Sequence, residues 1–296
     1  MQALWMLVAA FLFAAMGACV KLAAARYAVA ELVLYRALFG LVALYAYARL
    51  SGLTLSTPHA AMHLRRSVVG VISLGLWFYA ISILPISLAM TLNYTSPLFL
   101  ATLTIALALA AGRAIAWPMV ATIALGFAGV VLLLQPSFET GHQWVALAGL
   151  ASGFFSAAAY WHVKALGRLG EPEWRVVFYF MIGGAMLGAV GSAFSGFSAH
   201  SGLGIALLLA IGATATLAQL AMTRAFGRGR TLLAASLQFS AVLFSAAIGV
   251  LWFDEVLGTA SLAGIGLIVV GGVAATALTA TAVKPPEPVA ARVATD

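Results

Sequence analysis

Four stretches of this chain, residues 67–112, 176–223, 231–253 and 256–283, contain no Asp, Glu, Lys or Arg. Each is at least as long as the roughly 20 apolar residues that carry an α-helix across the hydrocarbon core of a bilayer. Backbone polar groups in lipid need internal partners, so only helices or a closed barrel can span. A barrel strand alternates polar and apolar residues over about 10 positions, and these runs do not alternate. The chain is 64% hydrophobic and 8% charged, against roughly 25% charged in a soluble domain. The sequence therefore reads as an all-α polytopic membrane protein.

Charges, prolines and glycines divide it into ten spans, near Ala3–Val20, Leu32–Ala48, Ser67–Leu84, Ile86–Ala111, Ile115–Leu134, Trp144–Val163, Val176–Phe194, Leu203–Thr223, Thr231–Phe253 and Leu257–Val283. Pro85 parts the third from the fourth, since proline resists continuing a helix. A kink is expected at Pro97, and Pro118 and Pro136 are expected to open and close the fifth span. Met1–Val20 lacks a positive n-region and reads as the first span, not a cleaved signal. The segment from Lys284 to Asp296, with three prolines in five residues, is expected to be a disordered tail.

With the N-terminus inside, Arg49, Arg65, Arg66, Arg113, Lys164, Arg168, Arg175, Arg224, Arg228, Arg230, Lys284 and Arg292 fall on the inner side, and Lys21, Arg26 and Arg36 on the outer. This bias fits positive-inside orientation, with both termini cytoplasmic. The net charge of +7 thus orients a membrane protein, and no nucleic-acid partner is expected. Cys19 is the single cysteine, so an intrachain disulfide is impossible.

One helical unit recurs at a fixed offset. The register holds at Leu7/Leu150, Phe11/Phe154, Ala14/Ala157, Ala15/Ala158, Val20/Val163, Lys21/Lys164, Gly40/Gly183, Gly129/Gly272 and Val130/Val273. Halves with five spans each insert with opposite orientation, and an inverted repeat is the signature of a secondary transporter. The expected organisation is 1–140 and 141–283 as two inverted five-helix repeats, followed by the cytoplasmic tail 284–296.

The stretch Leu84-Pro85-Ile86-Ser87-Leu88-Ala89 through Ser96-Pro97-Leu98-Phe99 resembles the third-to-fourth helix segment of the drug/metabolite transporter superfamily, EamA type. Ala124–Leu132, with Gly126 and Gly129-Val130, and the segment from Asp254-Glu255 to Gly272-Val273 resemble it too. The resemblance covers about residues 3–280. Gly112-Arg113 stands where the family often shows Gly-Glu. It implies a ten-helix transporter whose central cavity is enclosed mostly by spans one, three, four, six, eight and nine. Within the superfamily the chain is similar to bacterial exporters of amino acids, including aromatic ones. That implies a multi-pass protein of the bacterial inner membrane, read as a monomer.

Mid-span polar groups usually face the bundle interior or a water-filled cavity. Tyr79, Asn93, Tyr94, Trp161, Gln219 and Gln238 are the candidate substrate-binding residues, offering amides and aromatic walls to an amphipathic solute. Ser152, Ser156 and Tyr160 share one face of the sixth span. All eight acids (Glu31, Glu139, Glu171, Glu173, Asp254, Glu255, Glu287 and Asp296) fall at span ends, loops or the tail, so no mid-membrane carboxylate is expected. Arg36 is expected to pair with Glu31 or to snorkel.

No HExxH, GxSxG or paired intramembrane aspartates occur, and Gly227-Arg228-Gly229-Arg230 does not match a P-loop. Neither an enzyme activity nor a cofactor or metal is expected. The leading reading is a secondary transporter or facilitator exporting small amphipathic metabolites. Two alternatives are a same-fold transporter of phosphorylated or nucleotide-linked solutes, needing Lys or Arg in the cavity with Lys21 and Lys164 as the suspects, and a membrane receptor or intramembrane enzyme.

Overall fold

The computed structural model describes residues 2–110, 112, 117–139, 141–229 and 231–282. Arg113, Arg230, Lys284, Arg292, the start of the expected fifth span and the expected tail lie outside these residues. After a 3-10 turn at Gln2–Leu4, the first half contains α1 (Trp5–Ala23), α2 (Val29–Leu50), α3 (Ala60–Ile83), α4 (Ile86–Asn93), α5 (Ser96–Ala110) and α6 (Trp117–Glu139). The second contains α7 (Gln143–Arg168), α8 (Glu173–Ser195), α9 (Gly202–Arg228), α10 (Thr231–Gln238), α11 (Ser240–Trp252) and α12 (Thr259–Ala282). Among the described residues, eight helical stretches are long and apolar enough to cross a membrane, and Val120–Leu133 and Thr259–Ala274 are shorter apolar helices.

Two of the expected spans are broken. The first break lies at Tyr94-Thr95, just ahead of Pro97. Proline has no N–H, so Pro97 cannot bond the Asn93 carbonyl one turn earlier, and Thr95 Oγ1 bonds the Leu92 carbonyl at 2.7 Å. The opened turn packs against Gly153 of α7, where a Cβ would meet Thr95 Oγ1 at 2.6 Å and the Leu92 carbonyl at 2.8 Å. The second break, at Phe239, has no proline and was not expected from the sequence. Ser240 Oγ bonds the Leu237 carbonyl at 2.7 Å, and the Phe239 ring lies over Gly272 of α12.

Two other boundaries also differ from expectation. α3 begins at Ala60, so Arg65 and Arg66 lie on a helix and not ahead of one. α6 runs past Pro136 to Glu139.

Packing between the halves has a reciprocal pattern. α1 packs on α9 and α3 on α7, α2 packs on α8, and α6 on α12. α1 also touches α10 and α11, as α7 touches α4 and α5. The main buried cluster draws on both halves, from Met6, Phe13 and Trp77 to Phe180, Met222 and Phe239. Trp117, Trp144 and Trp252 stand exposed at helix ends, as interfacial belt residues do.

Candidate functional site

A pocket lies where the halves meet. Its walls are Phe13 of α1; Arg66, Gly70, Ser73, Leu74 and Trp77 of α3; Asn93 and Tyr94 at the first break; Ser156, Ala159 and Tyr160 of α7; Phe180 of α8; and Gln219 and Met222 of α9. Positions 66, 70, 73, 74 and 77 share one face of α3, following the helical period. The cavity measures about 40 Å³, room for a few waters at most and far below the roughly 300 Å³ or more of ligand pockets. A metabolite needs the halves to part.

The aromatic walls are arranged edge to face. Trp77 meets Tyr94 at 6.4 Å between centroids and Phe13 at 5.9 Å, while Tyr160 stacks on Phe226 at 4.8 Å. Hydrogen bonds tie the break to α7: Asn93 Nδ2 donates to Ser152 Oγ at 2.9 Å and Ser156 Oγ at 3.3 Å. Ser73 Oγ lies 2.7 Å from Ser156 Oγ. Gln238 Nε2 donates to Tyr160 Oη at 3.2 Å and Ser96 Oγ at 3.1 Å, leaving its Oε1 without a partner.

Of the expected site residues, Asn93, Tyr94 and Gln219 line the pocket, and Gln238 braces it from behind Tyr160. Tyr79 and Trp161 do not belong to it: their side chains are on the outer surface, 42% and 45% exposed. Each is two residues or one residue out of phase with the pocket face of its helix, beside Trp77 and Tyr160 respectively. The expected enclosure also shifts, because α8 contributes Phe180 while, among the described residues, none of α10–α11 is in the walls and Gln238 only meets Tyr160 from behind.

The residue that sequence reasoning missed is Arg66. Its place after Arg65 and before an apolar run reads as a cytoplasmic flank. The helix starts a turn and a half earlier, which carries Arg66 inside. The available signal was its phase, since it shares the helical face of Ser73 and Trp77. Arg66 is 2% exposed, donates from Nη2 to Gln219 Oε1 at 3.1 Å, and lies over the Phe180 ring at 3.8 Å.

Lys21 and Lys164 are not in the pocket walls. Lys21 Nζ donates to the Leu84 carbonyl at the end of α3, as cations at helix C-termini do. Arg36 does not pair with Glu31. The two are five residues apart and so on different helix faces. Glu31 instead accepts from Ser198 N at 2.9 Å and Ser198 Oγ at 2.6 Å.

Polar contacts between the halves close both ends of the bundle. At one end, besides Glu31–Ser198, Arg26 Nη1 donates to Ser201 Oγ at 2.7 Å, and His200 sits between the hydroxyls of Tyr27 and Tyr35. Glu255 caps α4 from the other half. Asp254, at φ 51°, turns the chain, and the Glu255 carboxylate accepts from Ile86 N, Ser87 N and Ser87 Oγ. Pro85 offers no side-chain cap there, and a carboxylate suits the free N–H groups of a helix start.

At the other end Glu171, between α7 and α8, accepts from Thr57 Oγ1 and pairs with Arg175 at 3.1 Å, with His63 Nε2 at 3.5 Å. Tyr179 Oη donates to the Leu55 carbonyl at 3.0 Å. Burial pushes the Glu171 carboxyl up, but the Thr57 hydroxyl and the Arg175 guanidinium outweigh it and hold the group below its ordinary value of 4.5. A lowered native value means stability that is whole above about pH 4.5 and lost as the pH falls through the native value. The thermal midpoint of Glu171→Gln should therefore lie below that of the unsubstituted protein at pH 6–7, with the gap closing toward pH 3.5. A gap independent of pH would refute this account of the closure.

Residues 1–135 match the EamA-like transporter family. The pseudopaline exporter CntI of Pseudomonas aeruginosa strain UCBPP-PA14 is 32% identical over 271 residues, covering 90% of this chain and 92% of its own. The riboflavin transporter of Rhizobium johnstonii is 29% identical over 182 residues, 60% of this chain and 57% of its own. A solved crystal structure matches with a TM-score of 0.67 at 22% identity, over 94% of this chain and 98% of its own, which speaks for the fold alone. The relative of high coverage, the family match and the apolar helical stretches lead to one conclusion: the chain belongs to the EamA-like transporter family and is a multi-pass membrane transporter.

Proposed function

We propose that the chain is a secondary exporter of small amphipathic metabolites, amino acids including aromatic ones, working by alternating access through the pocket between its halves. α4–α5 and α10–α11 each count as one broken crossing, giving ten. Residues 1–140 and 141–283 are then inverted five-span repeats, with both termini in the cytoplasm of a bacterial cell. The repeated element order and the reciprocal packing of α1 with α9 and of α3 with α7 support this reading. Broken helices at a site between repeats are the usual build of secondary transporters.

The single observation that carries the proposal is the polar and aromatic pocket at that meeting place, with polar contacts joining the halves at both ends of the bundle. Rocking one half against the other would release one set of contacts while keeping the other. The names of the two relatives, an exporter and a transporter of small organic solutes, agree with such a cargo. The protein works as a monomer in this reading, because one chain supplies all the walls of the pocket.

The test is flux from liposomes loaded with labelled phenylalanine, tryptophan or leucine, without ATP and with or without proton and sodium gradients. Efflux of at least one solute well above protein-free vesicles is expected. Protein that is folded and inserted yet moves none of them under any gradient would sink the proposal. The alternative reading, a same-fold transporter of phosphorylated or nucleotide-linked solutes with a basic residue in the cavity, gains one specific observation, Arg66 in the pocket wall.

A further inference from the structure

Arg66 is a charge without an anion. Its Nε and Nη1 have no hydrogen-bond acceptor although both are buried. Among the described residues no carboxylate lies within ion-pair distance of it, the ion pairs being those of Glu171 and Glu173. Its neutral partner, the Gln219 amide oxygen, satisfies one nitrogen only. Arg36 adds to the imbalance. It is 1% exposed, stands 5.3 Å from the same Phe180 ring that Arg66 covers, and its Nε and Nη2 are also unpartnered.

The room for this charge is built in. A Cβ on Gly70, one turn beyond Arg66, would lie 3.0 Å from Arg66 Nη1 and 3.1 Å from Phe180. A glycine inside a helix is unfavourable relative to alanine, so the space has a use. Arginine stays protonated in proteins, and a buried charge left unpaired is strongly unfavourable. Polar groups of this kind inside a membrane mark substrate paths. Guanidinium donors suit carboxylates.

We propose that Arg66, backed by Arg36, is the anion-recognising group of the pocket, and that its ligands are small organic acids. The carboxylate would meet the free donors of Arg66, and the flat or apolar part would lie against Trp77, Tyr94 and Tyr160. This deepens the exporter reading and rests on it for the claim that the bound acid is cargo. Bulk chloride offers the same charge without the apolar part, so the test separates the two.

The purified full chain is unfolded thermally at constant ionic strength with indole-3-acetate, with its neutral amide indole-3-acetamide, or with added chloride. The acid should raise the midpoint by about 2 °C or more at saturating concentration, and the amide and chloride by clearly less. Arg66→Gln should weaken acid binding by about tenfold or more, while Arg66→Lys, which keeps the charge but not the fork, should keep part of it. Gln219→Glu puts an internal counter-ion where the amide oxygen now sits, 3.1 Å from Nη2. It should raise the unligated midpoint and erase the effect of the acid, so the inference stays testable if Arg66→Gln fails to fold.

Equal stabilisation by acid and amide, or an acid effect that survives Gln219→Glu, overturns the inference. Chloride matching the acid overturns the substrate class. Liposome flux separates the two readings. Phenylalanine efflux unchanged by Arg66→Gln overturns the anion site and leaves the exporter. Acid-selective stabilisation without flux of any solute leaves the anion site and removes the exporter.

Discussion

Gly271→Leu should cost about 3 kcal/mol of stability, the upper end of what overpacking does, and more than any substitution in the pocket. The reason is the seam between α6 and α12. A Cβ on Gly271 would lie 2.7 Å from Gly126 N and 2.8 Å from the Thr122 carbonyl. About two turns earlier on α12, Gly264 and Gly129 of α6 face each other as closely: the Cβ of either would meet the other's carbonyl oxygen at 2.7–2.8 Å. Every one of these neighbours is backbone, so no flexible side chain can yield. Small residues are what let helices approach this closely in a membrane, where apolar burial alone gives no drive toward association. Gly266 on the same helix provides the control, since nothing lies within 4 Å of its Cβ position. Thermal unfolding in detergent should separate Gly271→Leu from Gly266→Leu by many degrees. Equal midpoints would mean that α6 and α12 do not pack as described.

Asn93→Ala should cut flux by about tenfold, equivalent to roughly 1.4 kcal/mol at the limiting step, while costing only about 1–2 kcal/mol of stability for the bonds lost. Asn93 ends α4 at the break, and its amide holds Ser152 and Ser156 of the opposite half. Without it the opened turn loses its registration on α7, and the pocket loses one polar wall. Gln238→Ala should act in the same direction through Tyr160, which it positions at 3.2 Å. Tyr79→Ala is the contrasting variant: that side chain is on the outer surface and its loss should leave flux within about twofold. Normal transport by both Asn93→Ala and Gln238→Ala, or a collapse caused by Tyr79→Ala, would refute the assignment of the pocket.

Much of this protein was open to reading without coordinates. Charge-free runs of this length without alternation leave only helices, because no water is present to satisfy an exposed backbone, and the elements described within them are all helices. Proline at 85 and 97 marks its breaks through a missing N–H, although Pro136 shows that the signal is not sufficient, since α6 continues past it to Glu139. Asn93 and Gln219 were legible because an amide in lipid needs a polar neighbour wherever it stands, and the pocket is where both found one.

Tertiary structure decided the rest. Tyr79 and Trp161 differ from the lining residues Trp77 and Tyr160 only in phase, one or two positions along a helix, and composition cannot tell a wall from a surface. The break at Phe239 has no proline to mark it, and its ring lies over Gly272 of a different helix. Glu255 looks like an ordinary loop acid until the fold brings the start of α4 beneath it. Arg66 shows the difference most directly. An arginine beside an apolar run is a flank if the helix begins at it and a buried charge if the helix begins a turn and a half sooner. Loop 51–59 just ahead of that start is held on Glu171, Arg175 and Tyr179 of the other half, long-range contacts that only the tertiary structure shows.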